Sequence, residues 1–319
     1  FAKLREPDVV TWSAYISAHS KHGNFERVID LYHRMKLSKV KPDGHVFLAL
    51  LKACADSASR VALLHGKLIH FHVIERGLER ALFVNNALIS MYSRCSALED
   101  ATRVFTSFPK KDHVTWSTMI GACVLYGCSS QAFNLFQRMQ REGHCPDQIT
   151  CVNALKACCG ISALEDGKVI HSLAIEYGFE KNVIVGSTLM DMYAKCADLE
   201  DAEVVFRGLT MRDTVSWGAM IAGYTFNSKY WEAIQLYKEM AQEGLKPNEI
   251  VFLSVLSACS QVGFLNQIES FLGLLRDEFS PIPVKEHINC IINLLGRSGY
   301  IKEAENMLQQ YGQFRSNIV

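Results

Sequence analysis

The chain repeats itself, and the step of that repetition limits its possible folds more than any single residue does. The segment VTWSAYISAH, beginning at Val10, returns as VTWSTMIGAC from Val114 and as VSWGAMIAGY from Val215. Trp12, Trp116 and Trp217 thus stand 104 and 101 residues apart. Met35, Met139 and Met240 keep the same step, as do Pro42, Pro146 and Pro247, and Cys54, Cys158 and Cys259. A second phrase, MYSRCSALEDATRVF from Met91, returns as MYAKCADLEDAEVVF from Met192 and more weakly as LLGRSGYIKEAENML from Leu294. Self-similarity at a fixed period marks an array in which no unit buries its apolar face alone and neighbours stack to do so.

Each cycle divides into three units: 9–43, 44–81 and 82–112, then 113–147, 148–182 and 183–213, then 214–248, 249–284 and 285–316. Residues 1–8 align with the tail of a third-type unit, and the first middle unit carries three extra residues near Ala58 to Val61. Within the unit from His113, the residues Trp116, Met119, Ile120 and Cys123 follow the spacing of an amphipathic helix. Gly127 breaks the run, and Ala132, Leu135, Phe136 and Met139 form a second stripe that ends at CPD, since Pro cannot continue a helix. Small residues recur where the two helices should cross, at Ala101, Ala132, Ala202, Ala233 and Ala304, with Val28 as the exception. The pattern predicts an all-α fold with two helices per unit, stacked as one continuous domain.

Composition excludes several functions. Lys+Arg and Asp+Glu balance at 33 each, so any hold on a polyanion must come from where charges are placed. No apolar run reaches the length of a membrane span, and no cationic start followed by an apolar core resembles a signal peptide. The 11 Cys lie in a long chain without a CxxC pair, and those that recur fall in different units, which points to a reducing compartment and to no metal site. Neither an HxE followed by CxxC, nor HExxH, nor a phosphate-binding loop is present. These residues are expected to bind rather than catalyse, with no cofactor.

The segment DVVTWSAYISAHSKHGNFERVIDLYHRMKLSKVKPD resembles a pentatricopeptide repeat. LKAC…GKLIH, NALISMYSRCSALEDATRVF and MIAGY extend the likeness over nearly the whole chain. The ordered alternation of unit lengths is similar to the PLS subclass of plant organellar proteins, whose P, L and S repeats correspond to the three unit types. The resemblance implies a right-handed α-solenoid superhelix that binds single-stranded RNA, one nucleotide per helix-turn-helix repeat. It also implies an organellar setting, mitochondrion or chloroplast, and a longer protein whose transit peptide and whose extension or deaminase domain lie outside this sequence.

On that resemblance the fifth residue of a unit of the first or third type, which follows the Trp in the first type, reads the base together with the last residue of its unit. The first set is Ser13, Asn86, Ser117, Ser187, Gly218 and Asn289; the second is Asp43, Asp112, Asp147, Asp213, Asn248 and Ser316. Hydroxyl, amide and carboxylate groups there can bond a base edge. Leu48, Val152 and Leu253 hold the reader position of the middle units and cannot, so base reading is expected to skip every third unit. The family's pairing rule then gives the register G, any, U, G, any, G, weak purine, any, pyrimidine. Val10, Phe83, Val114, Ile184 and Val215, one residue past each unit's start, are expected to sandwich base planes. Lys21, Arg94, Lys195 and Arg297 form a candidate phosphate row.

Trp12, Trp116 and Trp217 read as core, fixed by packing while the residue after each varies with the base. His70 and His171, repeated in GKLIH and GKVIH, read as interface residues, and Lys67 and Lys168 as solvated. The leading function is the site-recognition part of a C-to-U RNA editing factor, in company with other editing-complex proteins and with no membrane or DNA partner. The alternatives are a transcript stabilisation or splicing factor and a peptide-binding helical scaffold.

Overall fold

The computed structural model describes residues 7–262 and isolated helical positions at 292, 295, 296, 301, 302 and 305. Asn289, Arg297, Ala304 and Ser316 lie outside the described residues. The described elements are all α-helices. They are α1 Val9–Lys21, α2 Phe25–Leu37, α3 Gly44–Ser57, α4 Arg60–Glu75, α5 Leu82–Arg94, α6 Leu98–Ser107, α7 His113–Leu125, α8 Ser129–Arg141, α9 Gln148–Ile161, α10 Leu164–Glu176, α11 Val183–Lys195, α12 Leu199–Gly208, α13 Thr214–Phe226, α14 Tyr230–Gln242 and α15 Glu249–Val262.

The described helices fall into two compact bodies, divided between Ile161 and Ser162. In the first, α1, α3, α5, α7 and α9 pack in sequence as one layer, while α2, α4, α6 and α8 each lie against the helix that follows. In the second, α11, α13 and α15 pack in sequence, and α10, α12 and α14 each lie against the helix that follows. In both bodies, therefore, the first helices of successive units touch directly.

The last residue of one unit starts the first helix of the next. Oδ1 of Asp8, Asp43, Asp112 and Asp213 accepts from the N–H of Thr11, Val46, Thr115 and Ser216 at 2.8, 2.9, 2.8 and 2.9 Å. Asp147 accepts from Thr150 at 2.7 Å, and Asn248 from Val251 at 3.0 Å. Each such bond satisfies a helix-terminal donor and contributes about 1 kcal/mol. The three extra residues of the first middle unit lengthen its second helix: α4 has 16 residues where α10 has 13, and Ser59 caps the added turn.

Trp12, Trp116 and Trp217 are buried, the last two meeting Phe105 and Phe206 edge-on at centroid distances of 5.1 and 4.9 Å. Ala101, Ala132, Ala202, Ala233 and the exceptional Val28 are all wholly buried. Close crossing leaves no room there for a larger side chain to reach solvent.

The repeated GKLIH/GKVIH and MYSRC/MYAKC phrases prove to be halves of one interface. Gly66 and Gly167 lie beneath the side chains of Met91 and Met192, where an added Cβ would clash with the sulfur. One turn on, His70 Nδ1 bonds the Tyr92 hydroxyl at 2.9 Å, and His171 Nδ1 bonds that of Tyr193 at 2.8 Å. Lys67 and Lys168 are solvent-accessible as expected and are also ion-paired: Lys67 with Asp100, Lys168 with Asp198 and Asp201, all at 3.0 Å. Those acids belong to the SALED and ADLED turns, so a sequence view of either phrase alone misses the pairing.

Burial pushes His70 and His171 below the ordinary imidazole range against the pull of Asp100 and Asp201. Burial also raises Tyr92 and Tyr193 to about 12. Each pair therefore joins a neutral imidazole to a neutral phenol. Because the folded value is depressed, stability is complete above the unfolded histidine pKa of about 6.5 and is lost as pH falls below it. Thermal unfolding followed by circular dichroism should show a midpoint that declines from pH 7 towards pH 5.5. The double variant His70→Gln/His171→Gln, which keeps a neutral acceptor, should show a shallower decline.

Candidate nucleic-acid interface

The residues one place past each unit's start are large, apolar and exposed. Val10, Phe83, Val114, Ile184 and Val215 have 42% to 68% of their surface open. They share a place at the first turn of α1, α5, α7, α11 and α13, and none belongs to the core. The middle units contribute to the same row through His45, Ile149 and Ile250, which the sequence reading passed over although they occupy the same place. His45 stacks on Phe83, with ring centroids 5.8 Å apart and planes 22° from parallel. Phe83 also covers Gly44, where an added Cβ would approach its ring to 2.6 Å.

Between α7 and α9 this row bounds a cleft of about 320 Å³, lined by Val114, Ser117, Thr118, Gly121, Asp147, Ile149 and Asn153. Val114 and Ile149 are the aliphatic members; Ser117, Asp147 and Asn153 bring a hydroxyl, a carboxylate and an amide. Both members of one expected reading pair thus share a single opening. Ser117 is nearly enclosed, at 8% exposure, so only a group seated in the cleft can reach its hydroxyl.

The other pairs converge to different degrees. Asn86 Nδ2 donates to Asp112 Oδ1 at 3.4 Å, and the Thr115 hydroxyl lies 2.8 Å from Asn86 Oδ1 and 2.7 Å from Asp112 Oδ1. Burial alone would raise the Asp112 carboxyl, but the Thr115 and Asn86 bonds hold it below the usual carboxylate value. Gly218 lies beside Asn248: an added Cβ would be 3.9 Å from Asn248 Oδ1 and 3.1 Å from Val251. Ser13 and Asp43 are part-exposed on α1 and at the start of α3. Ser187 is part-exposed on α11, its hydroxyl donating to the Ile184 carbonyl at 3.1 Å, and Asp213 stands exposed at the start of α13.

The basic row is partly neutralised within the chain. Arg94 pairs with Asp56 at 3.1 Å and Lys195 with Asp191 at 2.7 Å, while Lys21 is exposed at the end of α1. Exposed pairs of this kind contribute at most about 1 kcal/mol each, so a phosphate could compete for either cation. The ten described Cys form no disulfide, and among the described residues no three His, Cys, Asp or Glu side chains gather as a metal site. No described helix is long and apolar enough to cross a membrane.

Comparison with known proteins fits this geometry. The PPR repeat family matches residues 7–56, 111–160 and 212–261, and the PPR repeat matches 287–311. The chain belongs to the pentatricopeptide repeat family. Pentatricopeptide repeat-containing protein At2g33680 of Arabidopsis thaliana is 35% identical over 300 residues, which are 94% of this chain and 41% of that protein. Pentatricopeptide repeat-containing protein At2g03880, mitochondrial, of the same plant is 33% identical over 310 residues, 97% of this chain and 48% of its own length. The chain spans about half the length of the curated relatives it matches. The crystal structure of the pentatricopeptide repeat protein PPR10 in complex with an 18-nt psaJ RNA element superposes with a TM-score of 0.81 at 18% identity, covering 98% of this chain and 46% of that one. PPR10 from maize matches with a TM-score of 0.73 at 21% identity, over 96% and 44% of the two chains. The fold is accordingly the all-α solenoid of this repeat family.

Proposed function

We propose that this pentatricopeptide repeat chain binds single-stranded RNA in a sequence-specific manner, one nucleotide per unit, as the site-recognition part of an organellar C-to-U editing factor. The observation that carries RNA binding is the α7–α9 cleft, where two exposed aliphatic side chains flank a hydroxyl and a carboxylate in one opening. A flat apolar base with a polar edge matches that lining: the faces meet Val114 and Ile149, and the edge meets Ser117 and Asp147. The fold shared with PPR10, described in complex with RNA, supports the same reading. Editing rests on the PLS alternation of unit lengths and the organellar setting on relatives named mitochondrial, so these finer assignments have separate support.

Base reading is assigned to Ser13 with Asp43, Asn86 with Asp112, Ser117 with Asp147, Ser187 with Asp213, and Gly218 with Asn248. Val10, Phe83, Val114, Ile184 and Val215 contact the base planes, and Lys21, Arg94 and Lys195 the phosphates. A gel-shift titration compares RNA of the register G, any, U, G, any, G, weak purine, any, pyrimidine with RNA in which every G is C. At about 1 kcal/mol for each of three lost base contacts, the matched RNA should bind at least a hundredfold more tightly. Equal binding of the two would remove the reading code and leave a peptide-binding scaffold as the better account.

A further inference from the structure

We infer that Asn153, in a middle unit whose own reader position carries the apolar Val152, is a third specificity-determining contact to the base held between α7 and α9. The inference rests on the RNA-reading proposal and deepens it. Asn153 stands one turn after Ile149 on α9, so both face α7. It lines the same cleft as Ser117 and Asp147. Opposite it α7 carries Gly121, and the Asn153 amide lies over that glycine: a Cβ added there would come within 2.9 Å of Nδ2 and 3.6 Å of Cγ. The glycine thus makes the space the amide occupies.

An Asn side chain offers two donors and one two-lone-pair acceptor, and no described residue takes up those of Asn153. Ser117 supplies one hydroxyl and Asp147 is acceptor-only, with one of its oxygens already bonded to Thr150. A guanine presents both an acceptor and donors along its edges. The amide adds two donors to the cleft, where Ser117 and Thr118 bring one hydroxyl proton each. The counterparts of Asn153 in the other middle units are Ala49, which is buried, and Ser254, whose hydroxyl donates to the Ile250 carbonyl at 2.8 Å. The added contact is therefore particular to the fourth letter of the register.

The test measures binding of the full chain to three RNAs of the proposed register, with G, C or an abasic site as the fourth nucleotide. Asn153→Ala should lose about five- to tenfold on the G RNA, the loss of one or two hydrogen bonds, and nothing on the abasic RNA. Gly121→Ala, which displaces the amide without removing it, should narrow the G-over-C preference in the same direction. Asn153→Ser, which keeps a donor, should fall between Asn153→Ala and the unchanged protein. Equal weakening of the G and abasic RNAs by Asn153→Ala would show a structural role and overturn the inference. So would unchanged binding of both RNAs while the unsubstituted chain still prefers G. If the unsubstituted chain binds all three RNAs alike, base reading at α7 is itself wrong and the inference falls with it.

Discussion

Trp116→Ala should destabilise the first body by about 3–5 kcal/mol, the upper range for truncating a buried side chain. The indole is wholly buried, with Phe105 of α6 edge-on at 5.1 Å and the Arg138 guanidinium of α8 over its ring at 5.5 Å. It therefore joins the second helix of one unit to both helices of the next. Its N–H has no acceptor among the described residues, so apolar contact and the flanking cation hold it in place. Chemical denaturation followed by circular dichroism measures the loss. Trp116→Phe, which keeps the edge-on contact, should cost less than half as much. A loss under 1 kcal/mol for Trp116→Ala would mean that the junction between these units does not depend on the indole.

The second large effect concerns Asp147. Its carboxylate accepts from the Thr150 N–H at 2.7 Å and the Thr150 hydroxyl at 2.6 Å while lining the cleft with Ser117. Asp147→Ala removes a cap and a reading group together. Stability should fall by about 1 kcal/mol, and binding to RNA with G at the fourth letter by about tenfold or more. Asp147→Asn separates the two roles, because Asn caps a helix nearly as well but presents a different edge to a base. Its unfolding midpoint should stay close to that of the unsubstituted chain while the preference for G at the fourth letter weakens. Asn248 already caps α15 in this way. A shift in midpoint without a shift in base preference would assign Asp147 to the fold alone.

How much of this was legible depends on whether a residue's partner sits at the same step of the repeat. Trp116, Ala132 and the two helical stripes could be read because packing demands them at every cycle. The exposed row from Val10 to Val215 could be read because it recurs with no apolar stripe to explain it. Lys67 could not, because its partner Asp100 lies in another phrase and only the fold brings Gly66 beneath Met91. Ile149 and Ile250 are hard to read because Leu48, Val152 and Leu253 at the reader place make the middle units look unable to meet a base. Asn153 was hidden for a related reason: it is one residue away from the place the pattern marks, and only Gly121 across the cleft shows which way its amide lies. The Asp residues carry a further signal, since Asp directly before an apolar helical stripe, as at Asp8, Asp112, Asp147 and Asp213, is a helix-start pattern.

The junction carboxylates bear on how such a chain can drift toward a new target. A residue that must both launch a helix and face a ligand has a short list of tolerated replacements, chiefly Asn, Ser and Thr. The reader residue at the fifth place of each unit carries no such duty, and Gly218 shows how far that place can wander. Retargeting should thus proceed by free exchange on one side of each recognition pair and by a restricted vocabulary on the other, with helix initiation acting as the censor.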